Sequence, residues 1–337
     1  MKDINLAVIR LAHPFAFSGF LNHIGAPVAG YFRRQGLPAL CEDPNVFVSL
    51  HKAWRLFGDA SAREDRMVGW YVGQYIGDHN LNGGLLKKLE DSPTLYRALI
   101  KFIEMVSAEA SHLQLGIRKC QTGIRFFTHY PGMNEETGYH ASQAYQLETF
   151  IDLIKHFAGR NWGPREIGIE ASEIPAPLRD QFPDCRIRIN QPYGYIAVPR
   201  SCLHMGLLRS HRESDSHSPI IRTDGLNDAQ LLRLLLIPYL SQGYPTMRFS
   251  ASLMETSKRT LARRLAACGT SYQTLIDDVR FSQARELLSD TDAPIYDVAG
   301  SVGFNNQGHF SRMFGRVGGL GPRQYRRLER GIESTLN

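Results

Sequence analysis

Two short stretches of this 337-residue chain carry the same arrangement of side chains. In the first, Ala251 precedes a turn and then Leu261, Arg263 and Leu265; in the second, Ala299 precedes a turn and then Phe310, Arg312 and Phe314. Apolar residues four apart share one stripe of a helix, and the cation between them falls on another, so each stretch reads as a helix with a buried seam and a polar face. The polar faces are rich in donors: Lys258, Arg259 and Arg263 in the first copy, Asn306, Gln307, His309 and Arg312 in the second. This is binding chemistry, with no bond made or broken. A guanidinium matches the O6/N7 edge of guanine and a carboxamide the edge of adenine, each good pair giving ~1–3 kcal/mol of discrimination. Arg323, Arg326 and Arg327, further on, suit phosphates, which fix register and carry no sequence information.

Side chains of this kind read bases only when an element inserts them into a groove. A small residue where two helices cross, a tight turn, and a second helix with one greasy and one basic face are the needs of a helix-turn-helix. Two copies are joined by SYQTLIDDVRFSQARELLSD, about 20 residues of helix spanning roughly 30 Å. Successive major-groove faces lie ~34 Å apart, so one chain reaches two of them without a dimer. Around the repeat the pattern is wholly helical, in seven short segments from DAQLLRLLLIPYLSQG to PRQYRRLERG, most with Ser, Asn, Pro or Gly at their ends. Before it runs SHRESDSHSPIIRTDG, polar and turn-rich, the expected linker over 210–225.

Upstream the pattern mixes periods. SPTLYRALIKFIEMVSAEA reads as an amphipathic helix with Ser92 as its cap and Pro93 at its first position, and SQAYQLETFIDLIKHFAG as a helix ended by Gly159. GIRFFTHY, REIGIEAS, CRIRIN and GYIAVP read as strands. The expected architecture is an α+β N-terminal domain (1–209), the linker, and an all-α C-terminal domain of about seven helices with two helix-turn-helix motifs (226–330). The basic excess favours the second: residues 225–337 hold 14 Lys and Arg against 10 Asp and Glu, while residues 1–224 hold 25 against 23.

Other function classes find little footing. The five cysteines are scattered, without CxxC spacing, and read as thiols of a reducing cytoplasm; Cys268, before Gly269, reads as packing. LLRLLLIPYL, the longest apolar run, is far short of the ~20 residues that span a bilayer. HExxH, GxSxG, P-loop and GxGxxG patterns are missing, and His129, Tyr130 and His140 read as packing or pocket residues, so no catalytic residue, metal or cofactor is expected. FFTHY and QPYGYIAV offer aromatics for a pocket wall, and Arg125, Arg186 or Arg188 would favour a carboxylate or cyclic nucleotide.

Residues from about 226 to 330 resemble the AraC/XylS-type DNA-binding domain. The motifs that carry the likeness are SKRTLARRL at 257–265, GTSY with Leu275 and Arg280, ARELL at 284–288, IYDVA at 295–299, GF at 303–304, HFSRMF at 309–314, and Gly319, Pro322 and Tyr325-Arg326. Three positions depart from it: Glu255 stands in the first turn where the family has glycine, Gly308 replaces a small polar residue, and Gly318 replaces threonine. Residues 27–206 resemble, more loosely, the arabinose-binding-type sensor domain of ornithine-utilisation-regulator-like members, through GLPALCEDPNVFVSLHKAW and LLKKLEDSPTLYRALIKFIE. The resemblance implies a cytoplasmic bacterial transcription regulator, an activator as most of the family are, nucleoid-associated when bound to DNA. Its implied partners are double-stranded promoter DNA, RNA polymerase, a second copy in a homodimer, and a small-molecule effector such as an amino acid, fatty acid or carboxylate. The alternative is an effector-independent architectural DNA-binder.

Overall fold

The computed structural model describes residues 7–38, 43, 46–78, 88–89, 91–107, 109–206, 226–243 and 245–328. The chain divides into two compact units: Ala7–Ala39 with Leu50–Asp224, and Gly225–Asn337 with Met1–Leu6 and Leu40–Ser49. The expected linker lies outside the described residues.

The first unit is α+β. It opens with β1 (Val8–Arg10), α1 (Ala12–His23) and α2 (Val28–Gln35). β2 (Phe47–Ser49) groups with the other unit; α3 (Leu50–Arg63), α4 (Val68–Asp78) and α5 (Leu95–Val106) follow. The cap of α5 is Thr94, whose hydroxyl accepts from the Arg97 amide at 3.3 Å, and not the expected Ser92 two residues earlier. Then come β3 (Gln114–Lys119), β4 (Gly123–His129), the long α6 (Tyr139–Ala158), β5 (Glu166–Gly168), α7 (Ala176–Gln181), β6 (Arg186–Arg188) and β7 (Gly194–Pro199). The sheet runs β3-β4-β7-β5-β6, antiparallel except for β5 beside β6. Alternation on β4 sends Ile124 and Phe126 inward, where the Phe126 ring meets Phe150 of α6 at 4.4 Å.

α6 is covered on its other side by α4, and a glycine stripe decides how closely. A methyl on Gly69 would lie 2.1 Å from the Ala141 carbonyl oxygen, and one on Gly73 would lie 2.3 Å from Glu148 Cβ. Residues four apart on α4 therefore have hydrogen where side chains would stand, and the two backbones approach accordingly.

The second unit is all helix after β2. α8 (Asp228–Leu236) starts at a capping box between Asn227 and Gln230, and Pro238 turns its continuation into a 3₁₀ segment, Ile237–Gln242. α9 (Met247–Leu253), α10 (Lys258–Ala267) and α11 (Tyr272–Asp290) begin at Thr246, Ser257 and Ser271, each hydroxyl accepting from a backbone amide three residues on. α12 (Ile295–Ser301), α13 (Gln307–Gly318) and α14 (322–328) complete it. The seven expected segments are thus all present as helices. α11 packs against α8, α12 and α13. Its Ala284 and Leu288 share a core with Val298, Ala299, Phe310 and Phe314.

Candidate nucleic-acid interface

The two motifs superpose by their hydrogen bonds. After α9, the Glu255 amide donates to the Ser252 carbonyl and the Thr256 amide to that of Ala251; after α12, Gly303 donates to Gly300 and Phe304 to Ala299. These are the paired bonds of a helix stop whose second-to-last residue sits left-handed, and both do: Glu255 at φ 49° and Gly303 at φ 81°. The repeat distance is 48 residues through the turns. It becomes 49 at the caps, Ser257 and Asn306, and at the seams, Leu261 with Phe310 and Leu265 with Phe314. The one extra residue of the second copy therefore lies between turn and cap.

Glycine adopts a left-handed φ freely; glutamate does not, so the first turn is held against its own preference. Glu255 is accordingly strained where the second copy is relaxed, and its carboxylate lies 3.5 Å from the Ser49 hydroxyl. At Gly303 a side chain has no room, since a methyl would lie 2.6 Å from the Leu240 oxygen. Arg280 of α11 braces this turn: its buried guanidinium donates to the Gly303 oxygen at 3.2 Å and lies 4.5 Å over the Phe304 ring.

Burial sorts the candidate side chains. On α10, Leu261 and Leu265 are fully buried while Lys258, Arg259 and Arg263 are exposed; on α13, Phe310, Met313 and Phe314 are buried while His309 and Arg312 are exposed and Gln307 is half-buried. Neither Arg263 nor Arg312 forms an ion pair among the described residues. Asn306 takes a different part. Its Oδ1 accepts from the Gly308 and His309 amides at 2.8 and 3.1 Å, so its acceptor starts the helix. Arg326 also departs from its expected place at phosphates: it donates to the carbonyls of Leu288 and Ala293, closing the end of α11 onto α14. Arg323 and Arg327 remain exposed.

Arg316, one turn after Arg312, was not among the expected site residues although the spacing of four places it on the same face. It is 64% exposed and donates to Asp277 of α11 at 2.7 Å, so it serves as a tether. The two glycine departures have steric reasons. Gly318 packs flat on Phe281, whose ring a methyl would approach to 2.4 Å, and a methyl on Gly308 would press on the Asn306 cap at 3.0 Å.

Arg125 and Arg188 are paired with Glu166 at 3.1 and 3.0 Å, which removes them as readers of a ligand carboxylate. His129 faces Glu170, which also accepts from Tyr139 and Gln143. No metal-binding group of His, Cys, Asp or Glu occurs among the described residues, and none of their helices is long and apolar enough to cross a membrane.

Two successive helix-turn-helix motifs on a shared central helix thus define the second unit. A family model described as a helix-turn-helix domain matches residues 250–328. The ornithine utilization regulator of Pseudomonas aeruginosa is 39% identical over 142 residues, 40% of this chain and 42% of that protein. The arabinose operon regulatory protein of Escherichia coli is 41% identical over 69 residues, 20% of this chain and 23% of that one. The chain thus spans less than half the length of these relatives. Among solved structures, the C-terminal domain of AraT, a response regulator from Geobacillus stearothermophilus, is 32% identical with a TM-score of 0.28, covering 30% of this chain and 84% of that one. Residues 250–328 of the C-terminal unit thus match a helix-turn-helix domain, and part of the chain is similar to bacterial transcription regulators.

Proposed function

We propose that the protein is a sequence-specific DNA-binding transcription regulator, in which residues 226–330 engage a promoter and residues 1–209 sense a small molecule. The observation that carries this reading is the duplicated motif with two outward faces of unpaired cations. Lys258, Arg259 and Arg263 enter one major groove and Gln307, His309 and Arg312 the next, with Asn306 fixing the start of the second recognition helix. Arg323 meets phosphate. One relative named above regulates ornithine utilization and the other the arabinose operon, which supports a regulator that responds to a metabolite. In this reading it is a cytoplasmic activator that recruits RNA polymerase and acts as a homodimer. Effector binding must favour one arrangement of the two units by a differential affinity, typically ~1–3 kcal/mol. No chemical step is assigned to the chain.

The test is retention of sheared DNA from its own organism by the intact protein, followed by sequencing. Enrichment of promoters with two half-sites about one helical turn apart is the expected result. Uniform retention, with affinity set by salt alone, would sink sequence-specific regulation and leave an architectural binder.

A further inference from the structure

A cavity of about 370 Å³ lies inside the first unit, between α1, α5, α6 and the sheet. At ~30 Å³ per water-sized group it has room for roughly a dozen of them. Most of its wall is aromatic or aliphatic, with Phe15, Phe57, Phe102 and Phe150 contributing rings. Against that wall α6 sets a stripe of Ser142, Tyr145, Gln146 and Thr149, residues three and four apart that share one face of the helix. An apolar interior has no use for such a stripe unless something meets it. Each member has an internal partner: Thr128 donates to Gln146 Oε1 at 2.5 Å, Gln146 Nε2 to Ser142 at 3.4 Å and Thr149 to the Tyr145 carbonyl at 3.0 Å, while the Tyr145 hydroxyl lies 3.3 Å from His13 Nδ1. Tyr130 is met only in part: it is 2% exposed and lines the cavity, and the Gln146 side chain reaches its hydroxyl as a donor, which leaves the O–H without an acceptor among the described residues. A buried hydroxyl left this way marks the place of a missing acceptor.

The charged groups of the wall narrow the ligand further. No lysine or arginine is among the lining residues; the pair His13 and Glu109 is, with Nε2 and Oε2 3.2 Å apart and His13 Nδ1 3.3 Å from the Tyr145 hydroxyl. Backbone pairing makes this pair a built feature. The Arg10 amide donates to the Glu109 carbonyl and the Ser111 amide to that of Val8, which brings Glu109 beside the first turn of α1, where His13 stands. Burial pushes the Glu109 carboxyl up, but His13, Arg10 and Lys88 outweigh it and hold it below the usual range, so the wall carries a carboxylate at neutral pH. Burial raises Tyr130 and Tyr145 above the usual phenol range, so both remain hydroxyls.

We propose that this cavity binds a compact, mainly aromatic or aliphatic molecule bearing one hydroxyl, carbonyl or amine group, and that it rejects anions. The polar group sits against Tyr130 and the stripe of α6, the apolar body against the phenylalanines, and Glu109 excludes a ligand carboxylate. This deepens the sensing role given above to residues 1–209 and rests on it only for the consequence at DNA. It sets aside fatty acids, carboxylates and cyclic nucleotides as occupants.

Three probes of one shape test it on the full-length protein: phenethyl alcohol, phenethylamine and phenylacetate, followed by calorimetry and thermal unfolding. The alcohol and the amine should bind on the order of tenfold or more tightly than the acid, because a fixed carboxylate in a poorly solvated wall repels a second one. Glu109→Gln should erase that preference by raising the affinity for the acid on the order of tenfold. Ala16→Phe, which fills the space, should abolish binding of all three, with Thr149→Leu as a milder filler should the first fail to fold. Phenylacetate binding as well as the others, binding that survives both fillers, or no binding by any probe would each overturn the inference. Retention of promoter DNA with and without the alcohol separates the two readings: a probe that binds yet leaves DNA affinity unchanged upholds the cavity and removes effector control.

Discussion

At the scale of single residues, the arginines of the C-terminal unit divide by what they touch. Arg264 and Arg316 are tethered to Asp228 and Asp277, Arg280 and Arg326 to carbonyls, while Arg263 and Arg312 stand outward. Arg312→Ala should therefore lower specific DNA binding by ~1–3 kcal/mol and leave non-specific binding nearly intact, as measured by competition between operator and random duplex. Equal loss on both would make it a phosphate contact. The two turns give a second prediction. Glu255→Gly relieves a left-handed glutamate and should raise stability by about 1 kcal/mol, read as a higher urea midpoint. Gly303→Ala adds both the strain and a collision with the Leu240 oxygen, and should lower stability by at least about 2 kcal/mol. The outward arginines were legible from their spacing between seam residues. The inward role of Arg326 was not, because it depends on carbonyls at and just beyond the end of α11, 38 and 33 residues earlier.

At the scale of elements, the contact between α4 and α6 shows what a pattern of polar and apolar residues omits. The stretch VGWYVGQYIGD has glycines at 69 and 73, and these are what allow α6 to approach. Gly73→Ala should destabilise the first unit by about 1–3 kcal/mol through overpacking against Glu148. Gly77→Ala, where the nearest atom is the mobile carboxylate of Asp152 at 3.3 Å, should be tolerated; thermal unfolding of the pair decides it. The C-terminal helices were legible because most carry a cap, α8 to α11 and α13 from Asn, Thr or Ser side chains, ahead of a clear apolar seam. In the first unit the strands β4 to β7 were legible from their β-branched and aromatic residues. β3, QLGIRK, was not, since its glycine and two cations leave little alternation, and α1 and α4 lack a polar face to mark their period.

At the scale of the molecule, residues 222–337 should fold alone and retain DNA, because both motifs and the helix that joins them lie inside this span. A fragment that unfolds cooperatively yet shifts no duplex would contradict the proposed division of labour. Within that span α11 is a continuous rod of 19 residues, about 28 Å long, with a recognition motif at each end. Adding or removing one residue in such a rod swings everything beyond it by about 100°. Under the proposed function, point substitutions on α10 and α13 change which bases are preferred, while a change in the length of α11 changes where the second motif points. Divergence of the proposed targets would then be written as new letters at a constant spacing.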